Sequence, residues 1–561
     1  MIGRFFGGAG KHPCEKRRGR FQCAVLYPEN SPSGKPPLDA PPPLWRRFPG
    51  GPWLLALVLF AVSLALNTRH NDFPYTYHPD ERGKVVQLIE KTRNFHHPLL
   101  LLTATDWAAR LTFTERTPQN LVVVGRWVSA AFAAGSVVAL ALTAWLLYGG
   151  LAGWAAGVVL VFQDELFKTS HYLKEDPALM FGLALSLLAA HLWWRAPGRG
   201  TLRFLAIACA LAAAGKYLGV LTLVFALPLV WARSTASPAK ERRGRWKAFA
   251  AAFALTFLIA NVPFPVNRIS SPFRSISNEM DGITGGHRGL TRDVPHARYI
   301  RALRANTPLP LAVFAGVFVL ALAATARRRS PVEWLTFLFP AAYLAMLSFS
   351  PKVADRYLLP VEVLLAFLGA LGAAEIARAL DAPGSRVRQA LAALALAAAT
   401  AWMLSGSVPV FRSLFREYQT DDHAAAAGWV KANLPLDAII AEDHRVNLSA
   451  EKSGGVSTTA RVPQTVLNDD FAADLGTLDE LRAKGVTHVA ICPDTFKRFF
   501  DPSVKPGKKE RESYDKRKAF YSALFTEGEC VVAWPRSEIV YLHPGILIYR
   551  LPAKSPPPPQ N

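Results

Sequence analysis

Residues 52–83 read PWLLALVLFAVSLALNTRHNDFPYTYHPDERG. The first half is an uncharged apolar run, and the stretch ends a few residues beyond it in His78, Pro79, Asp80 and Glu81. The run passes into ALNTRHNDF with no small-residue cleavage site, so it reads as a retained membrane helix rather than a signal peptide. Two adjacent carboxylates stand where the chain has only just left the bilayer, and the rest of the sequence has to explain them.

The same kind of run recurs along the chain. Of 561 residues 51% are hydrophobic and 19% charged, too apolar for an ordinary soluble protein of this length. Apolar blocks fall at 52–66, 121–147, 151–167, 177–194, 202–218, 220–231, 246–265, 309–326, 332–349, 357–376 and 387–410. They predict a mainly α, polytopic membrane protein with about 11 transmembrane helices, each near the length that crosses roughly 30 Å of hydrocarbon.

Short loops rich in Lys and Arg stay cytoplasmic. Here they are Trp45, Arg46 and Arg47 before the first helix, then 195–203, 233–247, 327–329 and 378–388. With an odd helix count this predicts a multi-pass inner (plasma) membrane protein with a cytoplasmic N-terminus and an extracytoplasmic C-terminus. One segment breaks the rule. Residues 267–307 fall outside on this count, yet they hold Arg268, Arg274, Arg288, Arg292, Arg298, Arg301 and Arg304. A bound anion is one reason for such an excess. The formal charge of +22 otherwise comes mostly from cytoplasmic loops and the N-terminal tail. No basic face is interleaved with aromatics, so nucleic acid is not an expected partner.

Residues 1–48 form a basic, Pro-rich tail that cannot bury a core, and 554–561 are a second Pro-rich tail. Between them the sequence predicts a membrane domain over 49–412 and a small extracytoplasmic α/β domain over 413–553. In the latter, DDHAAAAGWVKANLP reads as a helix, DAIIAED as a strand, TLDELRAKG as a helix ending at Gly485, and VTHVAIC as a strand. SYDKRKAFYSALF then reads as a helix, with ECVVAW and ILIYRL as strands. Cys492 and Cys530 lie near the ends of neighbouring strand candidates, so they either pair in a disulfide or remain thiols. No Cys or His spacing matches a metal site, and no glycine loop suits a nucleotide phosphate.

The external loops divide by charge. The first holds His78, Asp80 and Glu81, then His96 and His97; the second holds Asp164, Glu165, His171, Lys174, Glu175 and Asp176. Later come the turn AAAGKYLGV with Lys216 and Tyr217, the arginine-rich segment, and SPKVADRYLLP with Lys352, Arg356 and Tyr357. Carboxylates lead and cations follow. That division suits a reaction in which one end of a site deprotonates an acceptor hydroxyl and the other holds a phosphate leaving group. Each residue also has an ordinary reading: Asp176 before Pro177 is a common helix start, and Lys216 and Arg356 can snorkel to headgroups.

Taken in order, these motifs resemble the GT-C superfamily of polyprenyl-phosphate-sugar glycosyltransferases (glycosyltransferase family 39), especially protein O-mannosyltransferases and lipid A aminoarabinose transferases. They are the Asp-Glu pair, a His-Pro-Leu segment, an Asp-Pro helix start, a small-residue turn ending in Lys-Tyr, and a late Arg-Tyr-Leu-Leu-Pro. The resemblance covers about residues 52–410. It departs at His97-Pro98-Leu99, where the family has His-Pro-Pro.

The resemblance implies catalytic roles for Asp80, Glu81 and Asp176. It implies donor-phosphate binding by Lys216, Lys352 and Arg356 with arginines of the later loop, here Arg292 and Arg298. His78, His96, His97 and Tyr217 become loop or acceptor residues. The implied reaction is an inverting sugar transfer from a polyprenyl-phosphate donor, with Asp80 as base and its pKa raised modestly by desolvation. No metal ligand set or cofactor is required, although a divalent cation is compatible. The acceptor stays open among protein, lipid and polysaccharide. Two other classes fit many helices with external charge: a multi-pass lipid or glycan transporter, and a non-catalytic glycan-binding assembly protein. The absence of a clear internal repeat and the gathering of charge at one membrane face weigh against the first.

The charge asymmetry makes a direct prediction. A reporter fused after Val410 is active only outside the cytoplasm, and one inserted within 233–247 only inside. The reverse pattern would place the carboxylate loops on the cytoplasmic face and overturn the site.

Overall fold

The computed structural model describes residues 51–552, apart from 236–237, most of 262–289, 293–294, 350–353, 383 and much of 450–459. The predicted tails therefore lie outside the described residues. The chain is mostly helical, and each of the eleven apolar blocks falls largely within helix. By length and composition, however, five helices qualify as membrane spans, or up to seven if bent pairs count as one, with Gly51–Asn67 and Pro331–Leu347 shorter. The count of eleven spans is not confirmed on those grounds.

Burial sorts the helices into centre and periphery. The apolar window of Arg356–Leu380 is 89% buried inside the protein and that of Asp176–Arg195 78%, against 33% for Tyr217–Ser234. The two central helices are rich in small residues, and this is what lets their neighbours approach. A Cβ on Gly182 would lie 2.3 Å from the Cα of Ala212, so helix Asp176–Arg195 packs directly on the backbone of Arg199–Gly215. A Cβ on Gly372 would lie 1.8 Å from the Phe314 carbonyl oxygen, which brings Leu359–Leu380 equally close to Leu309–Ala324.

Two local structures differ from expectation. The block 151–167 is not one helix: Gly150–Val161 and Asp164–Ser170 meet at 59°. Gln163 caps the second by accepting from the Leu166 amide at 2.6 Å, and Asp164 and Glu165 fill its first turn, where the helix dipole favours anions. Leu100–Leu111 is a further helix that hydropathy alone does not reveal. It buries Leu100, Leu101 and Leu102 while Trp107 and Leu111 stay exposed, the pattern of a helix lying along an interface.

The two ends of the bundle are chemically distinct. At one end Arg329 and Arg378 both pair with Glu375, which also accepts from the Tyr148 hydroxyl, and Arg233 donates to the Trp194 carbonyl. At the other end lie the carboxylate loops and the C-terminal α/β unit.

That unit is built on a five-stranded mixed sheet in the order Glu529–Ala533, Leu547–Arg550, Val486–Ile491, Ile439–Asp443, Thr465–Asp469. Ile439–Asp443 runs parallel to both its neighbours. Both faces of the sheet are covered: Ile440 and Ala490 enter one apolar cluster, Ala441, Val489 and Ile491 the other. The strand Thr465–Asp469 was not anticipated, being short, at the sheet edge and half exposed. Of the two alternatives for Cys492 and Cys530, the structure shows thiols. Cys492 is buried and Cys530 exposed, and both are free thiols. Leu547–Arg550 lies between their strands, and Cys530 pairs with Tyr549, whose partner is Val489, three residues before Cys492; two strand spacings alone, roughly 10 Å, already exceed the roughly 7 Å reach of a disulfide.

Candidate active site

TYHPDERG folds as a helix start. His78 is the N-cap, its Nδ1 accepting from the Asp80 amide at 3.1 Å, Pro79 occupies the first turn, and the helix runs Pro79–Ile89. At 3.6 residues per turn, adjacent side chains diverge by about 100°, so Asp80 and Glu81 are aimed in different directions.

Glu81 turns inward. It receives Arg126 at 2.9 Å on one oxygen and 2.6 Å on the other, and the Leu173 amide at 2.7 Å. Both side chains are fully buried. Arg126 comes from helix Pro118–Tyr148, donates to the carbonyls of Asn71 at 2.7 Å and Phe73 at 2.5 Å, and lies over the Phe73 ring at 3.5 Å. Glu81 therefore ties together the loop after the first helix, a membrane helix and the 171–175 loop. Its placement gives it a scaffolding part, with both oxygens engaged away from Asp80.

Asp80 turns outward, with its side chain 40% exposed. It pairs with Lys174 and lies 3.8 Å from Arg356. Burial alone would lift its carboxyl, but Lys174, with Lys84 and Arg356, outweighs burial and holds it well below the usual carboxylate range. This corrects the expected modest rise: the missing term was Lys174. Lys174 itself is pushed down to about 8 by burial and by Arg356, against the pull of Asp80.

A second set of pairs continues from the first. Asp176, in the first turn of Asp176–Arg195, accepts from Lys216 at 2.7 Å. Lys216 lies 4.7 Å from the centre of the Tyr357 ring and Arg356 5.6 Å from it. Lys84, from the loop helix, donates to Glu175 at 2.9 Å and to the Leu173 carbonyl at 2.8 Å. Burial would raise Glu175, but Lys84 and Lys174 bring it down to about 2. Burial holds His97 near 4, hence neutral. Its ring is 5.0 Å from that of His96, and Tyr217 donates to the Phe95 carbonyl at 2.8 Å, anchoring the 94–99 loop to the Lys-Tyr turn.

Asp80, Asp176, Lys216 and Arg356 thus come together from four separate segments, joined by Lys84, Lys174 and Glu175. Arg298 is half-buried on helix Pro295–Asn306. Arg292 ends the strand Leu290–Arg292, which pairs with Val504–Pro506 of the C-terminal unit, and its side chain lies outside the described residues, as does Lys352. Among the described residues no group of three or more His, Cys, Asp or Glu side chains could hold a metal ion. Arg126 and Lys84 were missed. Arg126 had a signal, a charge inside the apolar block 121–147, and such charges are seldom idle. Lys84 had none, because a lysine one turn after an Asp-Glu pair looks like a solvated helix face.

No protein-family profile matches the chain, and no curated protein sequence matches it significantly. Among solved structures it is similar to ArnT from Cupriavidus metallidurans in the apo state, with 14% identity and a TM-score of 0.48 over 89% of this chain and 97% of that one. The same protein bound to undecaprenyl phosphate gives 15% identity and a TM-score of 0.45 over 90% and 98%. The S. cerevisiae protein O-mannosyltransferase Pmt1-Pmt2 complex bound to the sugar donor gives 16% identity and a TM-score of 0.33 over 44% of this chain and 36% of that one.

The split between the two carboxylates is measurable. Glu81→Ala strands Arg126 as a buried unpaired charge and costs about 3–5 kcal/mol of stability. Asp80→Asn takes a charge partner from buried Lys174 but keeps a hydrogen-bonding side chain at a partly exposed position, so it lowers the thermal midpoint of detergent-purified protein less than Glu81→Ala does. Equal midpoints for Glu81→Ala and the parent would contradict the scaffolding part assigned to Glu81.

Proposed function

We propose that the protein is an integral-membrane glycosyltransferase of GT-C type, moving a sugar from a polyprenyl-phosphate donor to an acceptor hydroxyl at the extracytoplasmic face with inversion. The observation that carries the reading is the convergence of Asp80, Asp176, Lys174, Lys216 and Arg356 at helix ends. Asp80, Asp176, Lys216 and Arg356 are among the positions whose order resembles that superfamily. A lipid-linked substrate cannot leave the bilayer far, so its phosphate and the groups that meet it belong at headgroup depth, where these helices begin and end.

Between the helices near the Lys216 turn lies a small apolar cavity of about 30 Å³, room for a water molecule and not for a prenyl tail. It is lined by Leu183, Leu187, Leu205, Phe225, Leu229 and Phe339 among others, and also by Thr222, which follows closely on the Lys216 turn. Phe339 contacts Tyr343 at 6.1 Å, and Tyr343 is within electrostatic reach of Asp176 and Tyr357. A prenyl tail would have to part these helices or lie along their lipid-facing side to keep its phosphate beside Lys216 and Arg356.

The chemistry follows from the pairing. Without substrate, Lys174 keeps Asp80 ionised but a weak base. A donor phosphate competes for Arg356 and Lys174, and as they turn to it Asp80 loses its counter-charges and becomes more basic. The acceptor oxygen then bonds to the anomeric carbon as the bond from that carbon to the phosphate oxygen breaks. The hydroxyl proton passes to Asp80, and the electron pair leaves on the phosphate, stabilised by Lys216 and Arg356. Donor binding thus switches on the base.

Asp80→Asn keeps the side chain's size but removes the base. Transfer is expected to fall by a factor on the order of 10² to 10⁴. Parent-rate transfer by folded Asp80→Asn, with loss in Asp176→Asn, would move the base to the second loop. Parent rates in both would end the transferase reading.

A further inference from the structure

The ring that covers His78 comes from near the far end of the chain. Tyr541 lies in the segment joining the last two strands of the C-terminal sheet, and its ring centroid is 3.9 Å from that of His78. Tyr172 packs against His78 at 5.1 Å and meets Tyr541 edge-on at 5.3 Å. Between them they leave His78 only 1% exposed. Burial and the nearby Lys174 keep its imidazole neutral. Neutrality matters, because Nδ1 can accept from the Asp80 amide only while it carries no proton.

Tyr541 is in turn fixed within the C-terminal unit. Its carbonyl faces His423 Nε2 at 3.0 Å, and the His423 ring stacks on Tyr77 at 4.1 Å. The Tyr77 hydroxyl donates to Asp421 at 2.5 Å and accepts from Arg461 at 2.6 Å. Arg445, which follows strand Ile439–Asp443, stands 5.8 Å from the Tyr541 ring and is held by Asp494 at 2.8 Å. Residues on both sides of the TYHPDERG helix start are thus gripped by one surface of the α/β unit, which also receives Arg82 on Asn447 at 3.0 Å.

We propose that Tyr541 is a positioning residue for sugar transfer: it holds the His78 ring in the orientation that caps helix Pro79–Ile89, and so fixes where the Asp80 carboxylate stands. The C-terminal unit is then part of the catalytic centre rather than an appended binding module. Its kinetic consequence rests on the transferase reading, while its structural consequence does not. Removing the ring admits water to His78, loosens the cap and lets the first turn fray.

The test uses the full chain in nanodiscs, reading amide hydrogen exchange over residues 76–84 and steady-state transfer from a polyprenyl-phosphate sugar. Tyr541→Ala and Tyr541→Leu are expected to speed exchange at the Asp80 amide about fivefold, the worth of one side-chain cap. They are expected to lower kcat on the order of tenfold, with the donor KM within about twofold. Tyr541→Phe, which keeps the ring, recovers most of both losses. Should Ala fail to fold, Leu decides. Parent-like exchange in the Leu variant overturns the proposal, as does a Phe variant as impaired as Ala, which would assign the effect to the hydroxyl. If exchange responds as expected but the parent transfers no sugar, the positioning of Asp80 stands and the transferase reading fails.

Discussion

The buried pair between Glu81 and Arg126 is the constraint on which the site depends. A charge in a membrane helix is tolerated only when its partners are complete, and Arg126 has a carboxylate, two carbonyls and an aromatic face. In meeting that demand Glu81 sets the rotation of helix Pro79–Ile89, and helical geometry then sends Asp80 the other way, toward Lys174 and Arg356. One residue of the pair is spent on structure so that its neighbour is free for chemistry. The Leu173 amide bonded to Glu81 carries the same constraint into the second loop, placing Lys174, Glu175 and Asp176 in succession.

Charge at the site is arranged as alternating neighbours rather than as separate acidic and basic halves. Lys174 sits with Asp80, Lys84 with Glu175, and Lys216 with Asp176. Each buried ion is paired, which is the condition for keeping so many at a helix-end position. Such pairing holds the site together, and on the proposed reading an incoming anion competes for the cations and frees the carboxylate. The same reading favours a phosphate-bearing substrate over a neutral one.

Much of this was legible in the sequence, for definable reasons. Helix blocks follow from hydropathy, and most elements of the C-terminal unit follow from periodicity and capping, such as the Thr477 and Glu480 capping box before Val486–Ile491. Asp80, Asp176, Lys216 and Arg356 were visible because they sit at loop positions beside membrane runs. What could not be read was partnership across the chain. That Glu81 belongs to Arg126, or that a tyrosine at 541 covers a histidine at 78, has no local signature. The bend after Val161 had one, since Gln163 precedes Asp164 and Glu165 as a helix cap would, but the surrounding apolar residues masked it. The strand Thr465–Asp469 escaped because an edge strand of five half-exposed residues alternates too weakly to stand out.

The most direct measurement of the central claim is donor use by purified protein in liposomes, supplied with envelope extract as acceptor. The radiolabelled sugar is presented in parallel on a polyprenyl phosphate and on a nucleoside diphosphate. The account predicts that label leaves the polyprenyl-linked donor for the extract, with stoichiometric release of polyprenyl phosphate, and that the nucleotide sugar is not consumed. Consumption of the nucleotide sugar, or no release of polyprenyl phosphate from any lipid-linked sugar offered, would contradict it.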